Sequence, residues 1–248
     1  TAALPDSDTS YAAAMYHDGV ACWQFEYDFH PTARKFLDAD DPAGPWTNYF
    51  RPGRTWGPPY SGRALFPLRS LVPLKVDWLL GAQKNLGYSS IVSSAVRLHD
   101  QSMAIGQAAG AVAAVALRRD VQPRAIPYDA NALEEVRRGL CARVDGGVPQ
   151  ALWPFRDLDP LDPCYEAANH LAIRGALPLS RRSIDFLADE PATEGWRAEV
   201  VRRTLATLAT DEELEIPTGE MTRGEFACEW WARIKDLPLK PFQRLSPE

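Results

Sequence analysis

The chain has 248 residues, 46% of them hydrophobic and 24% charged, which is the balance of a globular protein with room for one large domain or two small ones. A formal net charge of −6, with arginine pairs scattered at Arg118-Arg119, Arg137-Arg138, Arg181-Arg182 and Arg202-Arg203, argues against a nucleic-acid partner. Four well-separated cysteines (Cys22, Cys141, Cys164, Cys228) and four histidines without a His-Glu-x-x-His pattern exclude a dense disulfide framework and a zinc ribbon and speak against a metal site.

The opening Thr1-Ala-Ala-Leu-Pro5 has neither an initiator methionine nor a signal-peptide pattern, so a fragment or processed piece is expected, and the sequence assigns no compartment. Residues 20 to 30 alternate over their second half, with Trp23, Phe25, Tyr27 and Phe29 on one side and Gln24, Glu26, Asp28 and His30 on the other. That is a period-two strand with an aromatic face and a polar face. A Pro/Gly/Trp-rich loop follows from Asp40 to Gly62, of the length that often serves as a lid or binding segment.

Val76 to Ala82 reads as a second strand. Ser102 to Leu117, rich in Ala and Gly, reads as a helix that can press closely against a neighbour, with Gly106 and Gly110 on one face. It is too short, and too closely flanked by His99, Asp100, Arg118 and Arg119, to span a membrane. Its N-terminus offers free main-chain N–H groups and the positive end of the helix dipole. Asp129 is placed to cap an amphipathic helix lined by Leu133, Val136, Leu140 and Val144 and ended by Gly146-Gly147.

A domain boundary is expected near residues 147–153, dividing the chain into 1–150 and 151–248. Asp157, Asp159 and Asp162 lack the turn glycine of a calcium loop and suit turns and helix caps. Helices are then expected from Cys164 to Arg174, stopped by Gly175, from Arg197 to Ala209, and from Thr222 to Lys235, the last opened by a Thr222/Glu225 capping box and carrying Phe226, Trp230 and Ile234 on one face.

Three segments carry a resemblance to a known family: Phe25-Glu-Tyr-Asp28-Phe-His30; Pro67-Leu-Arg69-Ser70-Leu71-Val-Pro73 running on through Lys75 to Leu80; and Arg97-Leu-His99 followed by Met103-Ala-Ile-Gly106-Gln107-Ala-Ala-Gly110. In these, and in their spacing, the stretch from Val20 to Gly147 resembles the C-terminal part of FAD-dependent oxidoreductases with a glutathione-reductase-like flavin domain. The resemblance implies FAD as cofactor and a small-molecule substrate. It also implies that Lys84, Asn85, Arg97, Ser102, Met103, Gly106 and Gln107 face flavin or ribitol. Asp28 and His30 then reach the substrate side, His30 as an acid/base partner, with a structural histidine as the rival reading.

Departures from the family stand at Gln83, where many relatives have Gly, at Ser90, where many have His, and at Trp78, where many have Asn. No Gly-x-Gly-x-x-Gly occurs in the chain, so the missing N-terminal flavin-domain segment is expected as a partner, and the chain by itself is expected to bind FAD weakly or not at all and to be inactive. From Phe155 onward the sequence resembles S-layer homology repeats, in Phe155-Arg-Asp157, Ala167-Ala168, Leu171, Gly175 and Thr222-Arg-Gly-Glu225-Phe-Ala, about one and a half divergent copies. The expected fold class is α+β: a partial flavin-domain β/α segment with an aromatic strand region, plus a small all-α C-terminal domain. Two rival readings stay open: a carbohydrate- or cell-wall-binding module using Trp46, Tyr49, Trp56 and Tyr60, and a structural remnant without redox activity. A homo-oligomer is equally open.

Overall fold

The computed structural model describes residues 17–24, 63–89, 92–93, 96–144, 147–179 and 185–242. Strands β1 (Gly19–Gln24) and β2 (Arg63–Pro67) pair antiparallel, with Cys22 opposite Leu65 and Trp23 opposite Ala64. Gly19 packs closely there: a Cβ at that position would stand 3.0 Å from the Leu65 side chain. Of the expected aromatic strand only residues 20–24 are described; Asp28, His30 and the aromatic loop lie outside the described residues.

The chain leaves β2 through a 3-10 turn, Leu68–Leu71, that Asp18 holds in place. The Asp18 carbonyl accepts from Leu68 N (2.8 Å), its carboxylate accepts from Arg69 N (2.9 Å), and the Arg69 guanidinium lies 3.5 Å away. The arginine of the Pro67-x-Arg69-Ser-Leu motif thus anchors a turn.

The strand expected at Val76–Ala82 does not form. Trp78 takes a left-handed φ of 55°, which breaks extended geometry. Its N–H goes to Gln122 Oε1 (3.1 Å) and the Val76 carbonyl accepts from Arg124 (2.9 Å), so neither group enters a ladder. Leu74, Val76, Trp78 and Leu79 are left half-exposed or more.

The Ala-rich helix forms as expected and starts earlier: α1 runs His99–Arg119. Its Ile105, Ala108, Val112, Val115 and Ala116 are buried, and small side chains let it lie close to α2 (Ala130–Cys141) and β1. Asp129 caps α2 through Asn131 N and Ala132 N (2.9 and 3.0 Å), and Leu133, Val136 and Leu140 are buried. Val144 does not join that face. Ala142 is already extended, Gln150 N bonds Leu140 O (2.8 Å), and Val144 is 63% exposed, so the helix ends before Gly146-Gly147.

Three helices follow: α3 (Tyr165–Ile173), α4 (Glu194–Thr207) and α5 (Arg223–Ile234). Gly175, at φ 74°, ends α3. The capping box of α5 is present, Glu225 N to Thr222 Oγ1 at 3.2 Å and Thr222 N to Glu225 Oε2 at 2.8 Å. Phe226, Trp230 and Ile234 are fully buried, and the Trp230 indole donates to Thr204 on α4 (3.1 Å). Helix α4 starts ahead of the expected Arg197, because Thr193 supplies the cap through Trp196 N. Asp159 and Asp162 accept backbone N–H groups in a local turn, whereas Asp157 accepts from the distant Phe186 and Leu187 backbones.

Both stretches, 17–150 and 151–242, contribute to one apolar core. Contacts cross between them at Asn131 and Leu239 (2.9 Å), Arg138 and Asp236 (3.0 Å), and the Tyr165 hydroxyl and the Pro149 carbonyl (3.4 Å). The deepest crossing is ionic. The Glu134 carboxylate on α2 lies 2.7 Å from His170 Nδ1 and 2.8 Å from the Arg174 guanidinium, with all three side chains buried. Trp231 on α5 closes the cluster, its ring stacked on His170 at 4.5 Å and under Arg174 at 4.5 Å. Burial alone pushes the Glu134 carboxyl up, but His170 and Arg174 overcome it and hold the group well below the usual carboxylate range.

Glu134→Gln leaves Arg174 buried without its counter-charge and is expected to cost about 3–5 kcal/mol in urea unfolding. A carboxylate depressed by folding contributes stability that is present above its ordinary value of 4.5 and is lost as pH falls below it. The wild-type unfolding midpoint should therefore drop more steeply below that pH than the variant's.

Candidate functional site

The residues nominated for the cofactor, Lys84, Asn85, Arg97, Ser102, Met103, Gly106 and Gln107, lie on and around the first turns of α1. The chain enters it through half-buried Arg97 and through Leu98, an extended N-cap that has no side-chain oxygen. Gln101 takes over part of the capping, its Oε1 accepting from Leu98 N (3.4 Å), while Ser102 Oγ donates to Leu98 O (2.8 Å). The first N–H groups of the helix have no intrahelical acceptor and remain available, with the positive end of the dipole behind them. Asp100 in the first turn opposes an anion there, while Arg118 and Arg119 complement the far end.

The loop Gly81–Gly87 lies across the first two turns. Gly81 N bonds Leu71 O (2.7 Å), and Asn85 Oδ1 accepts from Ala82 N (2.8 Å), so Asn85 shapes its own turn. Lys84 is exposed, with Nζ 3.5 Å from His99 Nε2. Gln83 sits at φ 61°, and its side chain covers Gly106, where a Cβ would come within 3.2 Å of Gln83 Cγ. Beyond it the outward face of α1 is open. Met103 is 65% exposed, Gln107 and Gly110 are exposed, and no atom stands within 4 Å of a Cβ at Gly110.

The structure thus brings Lys84, Asn85, Ser102 and Gly106 around one helix start and sets Met103 and Gln107 on the adjoining outer face. Ser102 is spent on the backbone. Asp28 and His30 are not among the described residues.

Gln101 is the residue that sequence reading overlooked. It is 95% buried, and its Nε2 has no acceptor among the described residues. A donor left this way costs about 1–3 kcal/mol and is expected to meet a partner. The usual signature, a Ser, Thr, Asp or Asn three residues before a Gln, is absent because Leu98 occupies the cap. Tyr88, edge-on to Phe66 (6.4 Å), also has no partner for its hydroxyl among the described residues, and burial pushes that phenol up to about 12.

A second concavity, of about 750 Å3, lies between the N-cap of α3 and the start of α5 and is rich in carboxylates. Arg223 of the Thr222-Arg-Gly-Glu225 segment sits over the Trp196 ring at 5.5 Å. Among the described residues no His, Cys, Asp and Glu group has the geometry of a metal site, and no helix is long and apolar enough to cross a membrane.

A left-handed conformation costs a non-glycine residue roughly 1–2 kcal/mol, more than the 0.5–1 kcal/mol that glycine gives up in chain entropy. Gln83→Gly is therefore expected to raise stability by about 0.5–1 kcal/mol in chemical denaturation.

Residues 4–140 match the family described as FAD dependent oxidoreductase. No curated protein and no solved structure matches the chain. The match spans more than half of the 248 residues, and the chain belongs to that family, whose cofactor is FAD.

Proposed function

We propose that, within this FAD-dependent oxidoreductase region, α1 and the Gly81–Gly87 loop supply the wall that faces the flavin ring. The observation that carries the reading is the buried Gln101 Nε2, which has no acceptor among the described residues, at the start of a helix whose outer face is open. The residues present fit such a group. Gln101 Nε2 and the first-turn N–H groups can donate to a ring carbonyl, and they favour the negative charge that the ring edge carries when reduced. Lys84 adds a cation, Gly110 leaves room for a flat face, Gly106 lies under the Gln83 side chain, and Arg97, Asn85, Met103 and Gln107 border it. FAD, when bound, accepts a hydride equivalent from the substrate. Asp28 and His30 belong to the substrate side in this reading, with His30 holding the substrate proton.

The sequence holds no Gly-x-Gly-x-x-Gly to receive the cofactor's diphosphate. A dinucleotide-binding segment carrying that motif is the proposed partner, and the chain by itself is proposed to be inactive. Residues 151–248 are proposed as an S-layer-homology-like helical packing region. Its capping-box side chains are engaged with each other and the concavity beside them is lined by carboxylates, which disfavours an acidic glycan.

The test is flavin retention after gel filtration. The 248-residue chain should keep little flavin, and the same chain joined to a dinucleotide-binding half should keep about one equivalent. In the joined form Gly106→Leu should lower FAD affinity about tenfold or more, while Gly139→Leu, at an exposed and open position on α2, should not. Stoichiometric flavin on the chain alone overturns the two-wall reading, and unchanged flavin in Gly106→Leu overturns the role of α1.

A further inference from the structure

The concavity between α3 and α5 contains two thiols that the flavin reading does not use, Cys164 and Cys228. Cys164 is the N-cap of α3, but its sulfur makes no capping bond. Cys228 stands one helical turn after Gly224 on α5, so the two Cβ positions share a face and lie roughly 5–6 Å apart. A Cβ at Gly224 would be 3.3 Å from Cys164 Sγ. Cys228 Sγ is 3.5 Å from Pro163 O, the carbonyl directly before Cys164. Both sulfurs therefore face the Gly224–Cys228 strip of α5, beside the Pro163–Cys164 peptide. Cys141, by contrast, is fully buried in the core.

The walls of the concavity carry Asp157, Asp162, Asp189, Glu190, Glu225 and Glu229. Asp157, Asp162 and Glu225 accept backbone N–H groups, which leaves their charge in place, and Glu229 lies 3.5 Å from Arg233. Such a site repels an anionic reagent and concentrates a cationic one.

We propose that Cys164 and Cys228 form a reversible disulfide by exchange with a small cationic disulfide that enters this concavity. Cys228, the more accessible thiol, attacks first as thiolate. The reagent's S–S bond breaks, one half leaves as a thiol after taking a proton from solvent, and a mixed disulfide remains on Cys228. Cys164 then attacks the Cys228 sulfur, the Cys164–Cys228 bond forms, and the second half leaves as a thiol. Two cysteine thiols lose two electrons, and one small disulfide becomes two thiols. Burial, then the neighbouring sulfur and carboxylates, push the Cys164 thiol up to about 11, and burial with Glu166 on α3 raises Cys228, so the exchange is slow at neutral pH.

The full chain is incubated with cystamine or with oxidised glutathione, quenched by alkylation and mapped by peptide mass. The expected result is one peptide pair linked through Cys164 and Cys228, reversed by dithiothreitol, with Cys22 and Cys141 alkylated. Cystamine should outpace oxidised glutathione by about tenfold beyond its advantage on the urea-unfolded chain, and the excess should shrink in high salt. In Cys164→Ser, with folding checked by its melting curve, the mixed disulfide on Cys228 should accumulate. Persistent mixed disulfides on the wild type, a link involving Cys22 or Cys141, or equal rates for the two reagents relative to the unfolded chain would each overturn the proposal.

Discussion

Glu134 occupies a buried point where the two halves of the chain meet. Its carboxylate, placed inward by α2, takes the His170 imidazole and the Arg174 guanidinium from α3, and the Trp231 ring from α5 shields both. Taking these groups out of water is costly, and the cost is recovered only when every partner is in place. One turn along α2, the buried Arg137 guanidinium donates to the carbonyls of His17 and Gly19, and so ties the same helix to the start of β1. Burial draws Arg137 down to about 10, while Glu134 and Asp18 oppose that fall. From Asp18 the ties pass to Arg69 and the turn after β2. A line of charged contacts thus runs from the sheet through α2 to the C-terminal helices and sets where α1 lies.

That placement governs the candidate site. Helix α1 buries Ile105, Val112 and Val115 together with Ala108, Ala109 and Ala116 and turns Met103, Gln107, Gly110 and Ala114 outward. The open face therefore follows from packing on the opposite side. The Gly81–Gly87 loop is fixed over the helix start by its own Asn85 and by the Leu71 carbonyl, which brings Lys84 and Gln83 to the first turns.

What the sequence reveals is what short-range chemistry decides. Asp129, Thr222 with Glu225, and Gly175 mark helix ends because caps and left-handed stops act over a few residues. The apolar run Val76–Ala82 reads as a strand, yet a strand needs a neighbour, and its backbone groups find side chains of the connection after α1 instead. The end of α2 is misjudged because Gln150 returns to Leu140, a contact that no local pattern announces. The Glu134 cluster is invisible for the same reason: its members sit on different helices. Gln101 escapes because its cap partner is a leucine.

The segment around Trp78 has a consequence for the behaviour of the protein in solution. A half-exposed run containing Leu74, Val76, Trp78 and Leu79 has the side chains that favour cross-strand stacking between molecules. Such stacking needs free main-chain groups to template the next strand. Here the Trp78 N–H is held by Gln122 and the Val76 carbonyl by Arg124, while Asp77 pairs with the same arginine at 2.7 Å. The left-handed kink at Trp78 also prevents a flat edge. Two polar side chains from the turn after α1 thereby act as a guard against aggregation, keeping a sticky surface available for specific contact while denying it the geometry of a fibril.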